Sequence, residues 1–286
     1  MRLIARRSKR RYDLDLAYAD QAKAQRLDLY RPVDTDGAPL PVVAVIHGGA
    51  FQVGDKADLR PLATTLVARG YAVASVNYRM APASTFPAAV LDVRAAVRWL
   101  RVNAKSYELD GGRVAVLGES AGGYLAATLG TGGDQDLPGD AELGNADVPS
   151  TVRAVVDLYG PMNFGAMDEQ LRANPRCGPE AIYHDGARSP ESLFLGQQLT
   201  LAPGLVRAAD PASGLSAGRT PPPFLIEHGT ADCTVPYQQS AGLADALRAA
   251  GGTVTLNLLD GAGHGSDFPV TSRIPGIAAF LEEALR

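Results

Sequence analysis

The sequence contains few cysteine, tryptophan and histidine residues. Its 286 residues include two cysteines, one tryptophan and four histidines. Two cysteines, Cys177 and Cys233, are too few for a disulfide-rich scaffold, and their spacing fits no metal site. The sequence leaves open whether the two thiols are bridged. A bridge would tie residue 177 to the loop of Asp232 and would point to an oxidising compartment.

The chain also lacks an excess of positive charge. Its 27 Lys and Arg residues against 31 Asp and Glu residues give a net charge of -4 at pH 7. A nucleic-acid-binding domain usually carries a strongly basic surface, so we expect no nucleic-acid partner. Six Lys and Arg residues crowd positions 2–11. We interpret residues 1–13 as a basic, solvated arm, the alternative being an arm that binds nucleic acid or a membrane.

Long hydrophobic runs are missing as well. No apolar run approaches the roughly 18 residues that a membrane span requires. The basic residues near the N-terminus are not followed by the apolar core, about 7 to 15 residues long, of a secretory signal. We therefore expect a protein that does not interact with membranes and lies in the cytoplasm.

The chain does have a regular alternation of short β-branched runs and helical stretches. Runs such as residues 42–46, 71–76 and 154–159 are typical of strands buried on both faces of a parallel sheet. Stretches with helical periodicity, such as residues 87–103, separate these runs. The pattern predicts a single α/β domain, residues 1–286, with a mostly parallel central sheet flanked by helices.

One long segment interrupts this alternation. Residues 162–220 show weak periodicity, several prolines and scattered aromatic residues. They lie between the predicted sixth and seventh strands, at the edge of the sheet where ligands bind, so we interpret them as a lid-like insertion. Phe164 and Phe194 in this segment are candidates for an acyl pocket; the alternative is that such apolar residues pack the insertion onto the domain.

Residues 118–122 read Gly-Glu-Ser-Ala-Gly and follow an apolar run at 114–117. The small residues after them favour a helix, and strand–turn–helix is the context in which G-x-S-x-G marks a nucleophile elbow. The apex residue of such a turn has a strained backbone, and glycines on either side give it room. Ser120 is therefore the predicted nucleophile.

A serine nucleophile needs an imidazole to take its proton and an acid to orient that imidazole. Among the histidines, only His264 follows both Ser120 and an acid at a strand end, which gives the chain order Ser, Asp, His. Asp232 is that acid. Asp260 is a competitor, but it lies only four residues before His264 on the same loop.

The reaction also needs N–H donors for a tetrahedral oxyanion. Gly48 and Gly49 follow the strand at 42–46 and have no side chains to obstruct their N–H groups. Ala121, at the start of the helix after Ser120, supplies a further donor. His47-Gly48-Gly49 alone would fit an ordinary tight turn, and its place after a buried strand favours the oxyanion hole.

Together these motifs resemble the α/β-hydrolase esterases. The motifs are residues 47–51 (His-Gly-Gly-Ala-Phe), 77–82 (Asn-Tyr-Arg-Met-Ala-Pro), 118–122 and the loops of Asp232 and His264. More narrowly, the chain resembles the bacterial feruloyl-esterase-like group, which is related to the hormone-sensitive lipase family, from about residue 14 onward.

Two departures from the family pattern bear on what the resemblance implies. Ala50 replaces the third glycine of the family's HGGG motif, at a position that tolerates small residues. Only 46 residues precede His47, whereas hormone-sensitive-lipase-like enzymes usually carry a longer N-terminal cap, so the substrate rules of that cap are not carried over.

The resemblance implies an α/β-hydrolase fold and a serine carboxylesterase without cofactor or metal, acting on small or medium acyl or aryl esters. Phe51, Glu119, Phe164 and Phe194 are expected to contact the small-molecule ester. Two alternatives stay open: an arylformamidase similar to kynurenine formamidase, and a hydrolase-like binding protein that has lost catalysis.

Overall fold

A computed structural model describes residues 10–33, 37–133, 137–216 and 219–286. Within these residues one eight-stranded sheet has the order β1-β2-β4-β3-β5-β6-β7-β8. Its strands are β1 (Arg10–Ala17), β2 (Arg26–Pro32), β3 (Leu40–Ile46), β4 (Ala72–Val76), β5 (Leu109–Glu119), β6 (Ala154–Leu158), β7 (Phe224–Gly229) and β8 (Val254–Leu259). β1 and β2 pair antiparallel and β2 pairs antiparallel with β4, whereas the pairs from β4 to β8 are parallel.

Helices cover both faces of the sheet, which is why its central strands are almost continuously apolar. The helices are α1 (Arg60–Val67), α2 (Ala88–Val102), α3 (Ala121–Gly132), α4 (Met167–Ala173), α5 (Pro190–Leu195), α6 (Pro203–Ala209), α7 (Gln238–Ala249) and α8 (Val270–Ala284). One apolar core lies between the sheet and α2, α3 and α7, and a second lies between the sheet and α1 and α8. The predicted mostly parallel sheet flanked by helices is confirmed.

The first strand was not expected from the sequence. Residues 10–13 of the predicted basic arm belong to β1, which pairs with β2 and has mostly exposed side chains. Residues 1–9 of that arm lie outside the described residues.

The insertion lies between β6 and β7, as expected, and contains the three short helices α4, α5 and α6. The ends of β5, β7 and β8 that carry the candidate residues lie at one edge of the sheet, because these strands are parallel. None of the described helices has the length and apolar character needed to cross a bilayer. The cytoplasmic location remains an expectation.

Candidate active site

Ser120 occupies a strained turn between β5 and α3. Its backbone has φ 53° and ψ -121°, a conformation that a residue with a side chain rarely adopts. A Cβ atom on Gly118 would lie 2.0 Å from the carbonyl oxygen of Gly122, and one on Gly122 would lie 2.1 Å from that of Ile46. Both positions therefore require glycine. The N–H of Ser120 donates to the carbonyl of Leu158 at 2.8 Å, which anchors the turn to β6.

The structure brings together Ser120, His264 and Asp232. Nε2 of His264 lies 2.9 Å from Oγ of Ser120, and Nδ1 of His264 lies 2.5 Å from Oδ2 of Asp232. Asp260 instead has an exposed carboxylate that contacts Arg176 at 2.7 Å and Thr230 at 3.2 Å. These two distances match a nucleophile, a base and an orienting acid that are connected by successive hydrogen bonds.

The carboxylate of Asp232 is buried and fully hydrogen-bonded. Its Oδ1 accepts from the N–H groups of Thr234 at 2.9 Å and Val235 at 2.8 Å. Burial alone would raise the pKa of Asp232, but hydrogen bonds from His228 and His264 outweigh it and hold the pKa well below its usual range. The acid is therefore a carboxylate, as an orienting acid must be.

His228 is a second histidine on this carboxylate, and its role was missed in the sequence. It is the penultimate residue of β7 and is fully buried, with Nε2 2.8 Å from the carbonyl oxygen of Val235 and 3.2 Å from Oδ2 of Asp232. Because a carbonyl only accepts, Nε2 carries the proton, and Nδ1 lies 2.7 Å from Oγ of Ser240. The signal available in the sequence was the position of His228, near the end of a strand and four residues before Asp232.

Gly48 and Gly49 form a tight loop after β3, against the nucleophile turn. Gly49 has φ +113°, and a Cβ atom there would lie 2.0 Å from the carbonyl oxygen of Val53. The N–H groups of Gly48, Gly49 and Ala121 donate to no protein acceptor within the part of the chain that the structure describes. Ser120 is the N-cap residue of α3, but its side chain accepts no hydrogen bond from the first N–H groups of the helix. Free N–H groups thus surround Ser120, as an anion site requires.

His47 and Tyr78 pack together and stabilise this loop. Their rings stack with centroids 4.6 Å apart, and the hydroxyl of Tyr78 donates to the carbonyl of His47 at 3.1 Å. Burial lowers the pKa of His47, so the ring is neutral and its Nδ1–H donates to the carbonyl of Gly48 at 2.7 Å. Arg79 binds the buried carboxylate of Asp92 and fixes the segment that follows β4.

The aromatic residues expected at the substrate lie in the core. Phe51, Phe164 and Phe194 are each 1% exposed. Phe51 stacks on Phe194 with centroids 4.1 Å apart, and Tyr124 of α3 packs edge-on against Phe51 at 5.4 Å and tilted against Phe164 at 5.1 Å. The expectation of direct substrate contact is corrected for these three rings, because they pack the insertion onto the domain and have no open face.

Glu119, the fourth expected contact, lies beside the nucleophile and is partly exposed. Burial raises the pKa of Glu119, and the nearby hydroxyl of Tyr159 only partly offsets this. The ring of Tyr159 in turn packs edge-on against His264, with centroids 4.9 Å apart. Glu119 thus contacts the base indirectly, through an aromatic side chain.

The question of the two cysteines has a structural answer. Cys177 of the insertion and Cys233 of the loop after β7 form a disulfide. Cys233 directly follows Asp232, so the bond fixes the loop that carries the acid. No group of three or more His, Cys, Asp or Glu residues suited to a metal ion occurs among the residues described above.

The chain is similar to several known proteins. The sequence profile of the family described as BD-FAE matches residues 27–247. Esterase LipC of Mycobacterium tuberculosis is 33% identical over 92% of this chain and 63% of its own length. Isoprenylcysteine alpha-carbonyl methylesterase ICME of Arabidopsis thaliana is 30% identical over 87% of this chain and 55% of its own length. The chain thus spans less than two thirds of these curated relatives.

Solved structures show the same architecture. A truncated carbohydrate esterase from gut microbiota superposes with a TM-score of 0.81 at 27% identity, over 96% of each chain. A propionate-bound esterase, Est2 of Thermogutta terrifontis, superposes with a TM-score of 0.72 at 24% identity, over 96% of this chain and 93% of that one. The second likeness concerns the fold alone.

Proposed function

Because this chain belongs to the BD-FAE family and has an α/β-hydrolase fold, we propose that it is a serine-dependent carboxylic ester hydrolase. The observation that carries the proposal is the unbroken line of hydrogen bonds from Oγ of Ser120 through His264 to Asp232. Named esterases among the relatives, such as LipC, support the same activity.

In the first step Oγ of Ser120 attacks the ester carbonyl carbon and passes its proton to Nε2 of His264. Asp232 keeps the proton of His264 on Nδ1 and stabilises the imidazolium that forms. The negative charge that develops on the carbonyl oxygen is met by N–H groups of Gly48, Gly49 and Ala121. One such donor contributes about 3 to 4 kcal/mol to lowering the barrier in the best-measured case.

The tetrahedral intermediate then collapses. The bond between the acyl carbon and the alcohol oxygen breaks, and His264 gives its proton to that oxygen, which leaves an acyl group on Ser120. A water molecule attacks this acyl group while His264 takes one of its protons, and the second collapse returns that proton to Oγ and releases the carboxylic acid. No cofactor is required for this sequence.

We assign short acyl groups to the substrate, because the space beyond the Gly48 loop is already filled. Phe51 follows that loop and packs against Phe194 and Tyr124, so its buried ring offers no open face to a long acyl chain. A carbohydrate is the alcohol that we propose, since the carbohydrate esterase from gut microbiota is similar over 96% of both chains. Side-by-side rates on acetyl, butyryl and octanoyl p-nitrophenyl esters, acetylated sugars and N-formylkynurenine test this assignment and the arylformamidase alternative.

Replacement of the nucleophile tests the reaction class. Ser120→Ala should keep the melting temperature close to that of the parent and lose turnover of p-nitrophenyl acetate by about 10⁴-fold or more. Ser272→Ala is the matched control, since this serine is exposed and its hydroxyl donates to the carbonyl of Pro269. A fluorophosphonate probe should label the parent and the control but not Ser120→Ala. Undiminished turnover by Ser120→Ala would refute the proposal.

A further inference from the structure

The insertion makes three contacts with two consecutive residues of the loop of Asp232, Cys233 and Thr234. Cys177 is bonded to Cys233, the N–H of Ile182 donates to the carbonyl of Cys233 at 2.9 Å, and Nε2 of His184 lies 2.8 Å from the carbonyl oxygen of Thr234. The first two contacts involve a covalent bond and the main chain. Only the third depends on a polar side chain.

His184 is a buried histidine that donates from both ring nitrogens. Its side chain is 2% exposed, and Nδ1 lies 2.7 Å from Oε2 of Glu191, itself 4% exposed. The carbonyl of Thr234 can only accept, so Nε2 carries a proton. Burial alone would lower the pKa of His184, but the hydrogen bond and charge of Glu191 outweigh it and raise the pKa. Glu191 thereby holds the ring in a single orientation.

The group that accepts from His184 is the peptide unit that binds the acid. The carbonyl of Thr234 and the N–H of Val235 belong to one planar peptide group. Its N–H donates to Oδ1 of Asp232 at 2.8 Å, while its carbonyl oxygen receives Nε2–H of His184. Donation at the carbonyl end fixes the plane of the group and polarises its N–H toward the carboxylate.

Charged groups around His184 belong to the insertion itself. Asp168 of α4 accepts from the N–H groups of His184 at 2.5 Å and Asp185 at 3.2 Å, and Arg172 lies 3.6 Å from the same carboxylate. These contacts seat the main chain of residues 184–185 on α4. The imidazole therefore extends from a fixed support toward the loop of the acid.

We propose that His184 is a positioning residue for Asp232, acting through the peptide group between Thr234 and Val235. This proposal rests on the proposed function, in which Asp232 orients the base His264. The insertion then contributes to the reaction by fixing the acid, although none of its residues bonds directly to Ser120 or His264 through a side-chain hydrogen bond among the described residues.

Two substitutions of similar size separate the two hydrogen bonds of His184. In His184→Gln the amide nitrogen takes the place of Nε2 and keeps the bond to Thr234. In His184→Asn the amide nitrogen takes the place of Nδ1, which keeps the bond to Glu191 and removes the donor to Thr234. Arg176→Ala is the control, because it removes an exposed ion pair of the insertion with Asp260.

The kinetic readout is the split between kcat and KM on p-nitrophenyl acetate. A displacement of about 1 Å in a catalytic group costs on the order of 10²-fold in rate. We expect kcat to fall about 10-fold in His184→Asn with KM changed less than about 2-fold, because His184 does not touch the substrate. His184→Gln and Arg176→Ala should stay within about 2-fold of the parent. Equal kcat values for the Asn and Gln variants would overturn the proposal.

Hydrogen exchange supplies a readout that does not depend on activity. The amides of Thr234 and Val235 should exchange about 10-fold faster in His184→Asn than in His184→Gln, because the loop opens more easily. Unchanged exchange would overturn the positioning role even if esterase activity is confirmed. Turnover by Ser120→Ala would refute the proposed function and leave this exchange result unaffected. If His184→Asn does not fold, Glu191→Gln replaces it, with faster exchange than in the parent again expected.

Discussion

Gly48 lies directly against Ser120. A Cβ atom on Gly48 would be 3.2 Å from Cβ of Ser120 and 2.9 Å from the carbonyl oxygen of Glu119. The loop after β3 thus packs against the nucleophile turn with no space for a side chain between them. A substrate carbonyl bound at Ser120 would meet the N–H groups of this loop without an intervening side chain.

Gly48→Ala should therefore impair the reaction. The new methyl group would clash with the main chain at Glu119, so the loop must shift and its N–H groups move away from the oxyanion. Loss of one such donor costs about 10²- to 10³-fold in kcat, and we expect a loss in this range on p-nitrophenyl acetate. Gly276→Ala in α8, where an added Cβ meets no atom within 4 Å, is the control. Equal kcat values for the two variants would exclude an oxyanion role for Gly48.

Asp232→Asn should distinguish Asp232 from Asp260 as the acid that orients His264. An amide in place of the carboxylate cannot accept from His264 and His228 as an anion does, so the tautomer of His264 is no longer fixed. A comparable change in a serine protease lowers kcat about 10⁴-fold, and we expect a loss of that order here. Asp260→Asn changes only an exposed carboxylate and should keep kcat within about 2-fold. A large loss in Asp260→Asn alone would reverse the assignment.

Reduction of the bond between Cys177 and Cys233 should destabilise the protein. The bond closes a loop with a sequence separation of 56 residues, and removing such a constraint lowers the free energy of unfolding by about 2 to 4 kcal/mol. Denaturant unfolding with and without dithiothreitol measures the difference. The double variant Cys177→Ser, Cys233→Ser should match the reduced parent and show no response to reductant. The disulfide would be contradicted if the free energy of unfolding of the parent did not change with reductant and two free thiols were titrated.

The pair of His184 and Glu191 should make stability depend on pH. The pKa of His184 is raised in the folded protein above its usual value of about 6.5. Its contribution to stability is therefore fully present below pH 6.5 and is lost as the pH rises through the raised value. Glu191→Gln removes this contribution, so the difference in melting temperature between parent and variant should be larger at pH 6 than at pH 9. A difference that grows with pH would contradict the ion pair.

Much of the site could be predicted from the sequence because its signals are local or follow chain order. The turn of Ser120 is recognisable in the sequence because its backbone requires glycines at Gly118 and Gly122. Asp232 and His264 are recognisable because each follows a strand. The role of His184 carries no such signal, since its partner Thr234 lies 50 residues away and is reached only through the fold. β1 was missed because its basic residues suggested a solvated arm. They also masked the alternation of polar and apolar residues that is typical of a strand. The buried Phe51 was misassigned because sequence alone does not separate a pocket wall from a core.

The position of β8 has a consequence for how the protein becomes active. This strand adds to β7 at the edge of the sheet, and His264 follows it, 144 residues after Ser120. During synthesis the chain emerges from its N-terminus, so β3, β5 and α3 can form the nucleophile turn while the base is still inside the ribosome. The nascent chain therefore carries an inert hydroxyl until its last strand docks. A chain that stops short of residue 264 lacks the proposed base, so the proposed nucleophile Ser120 has no imidazole to take its proton.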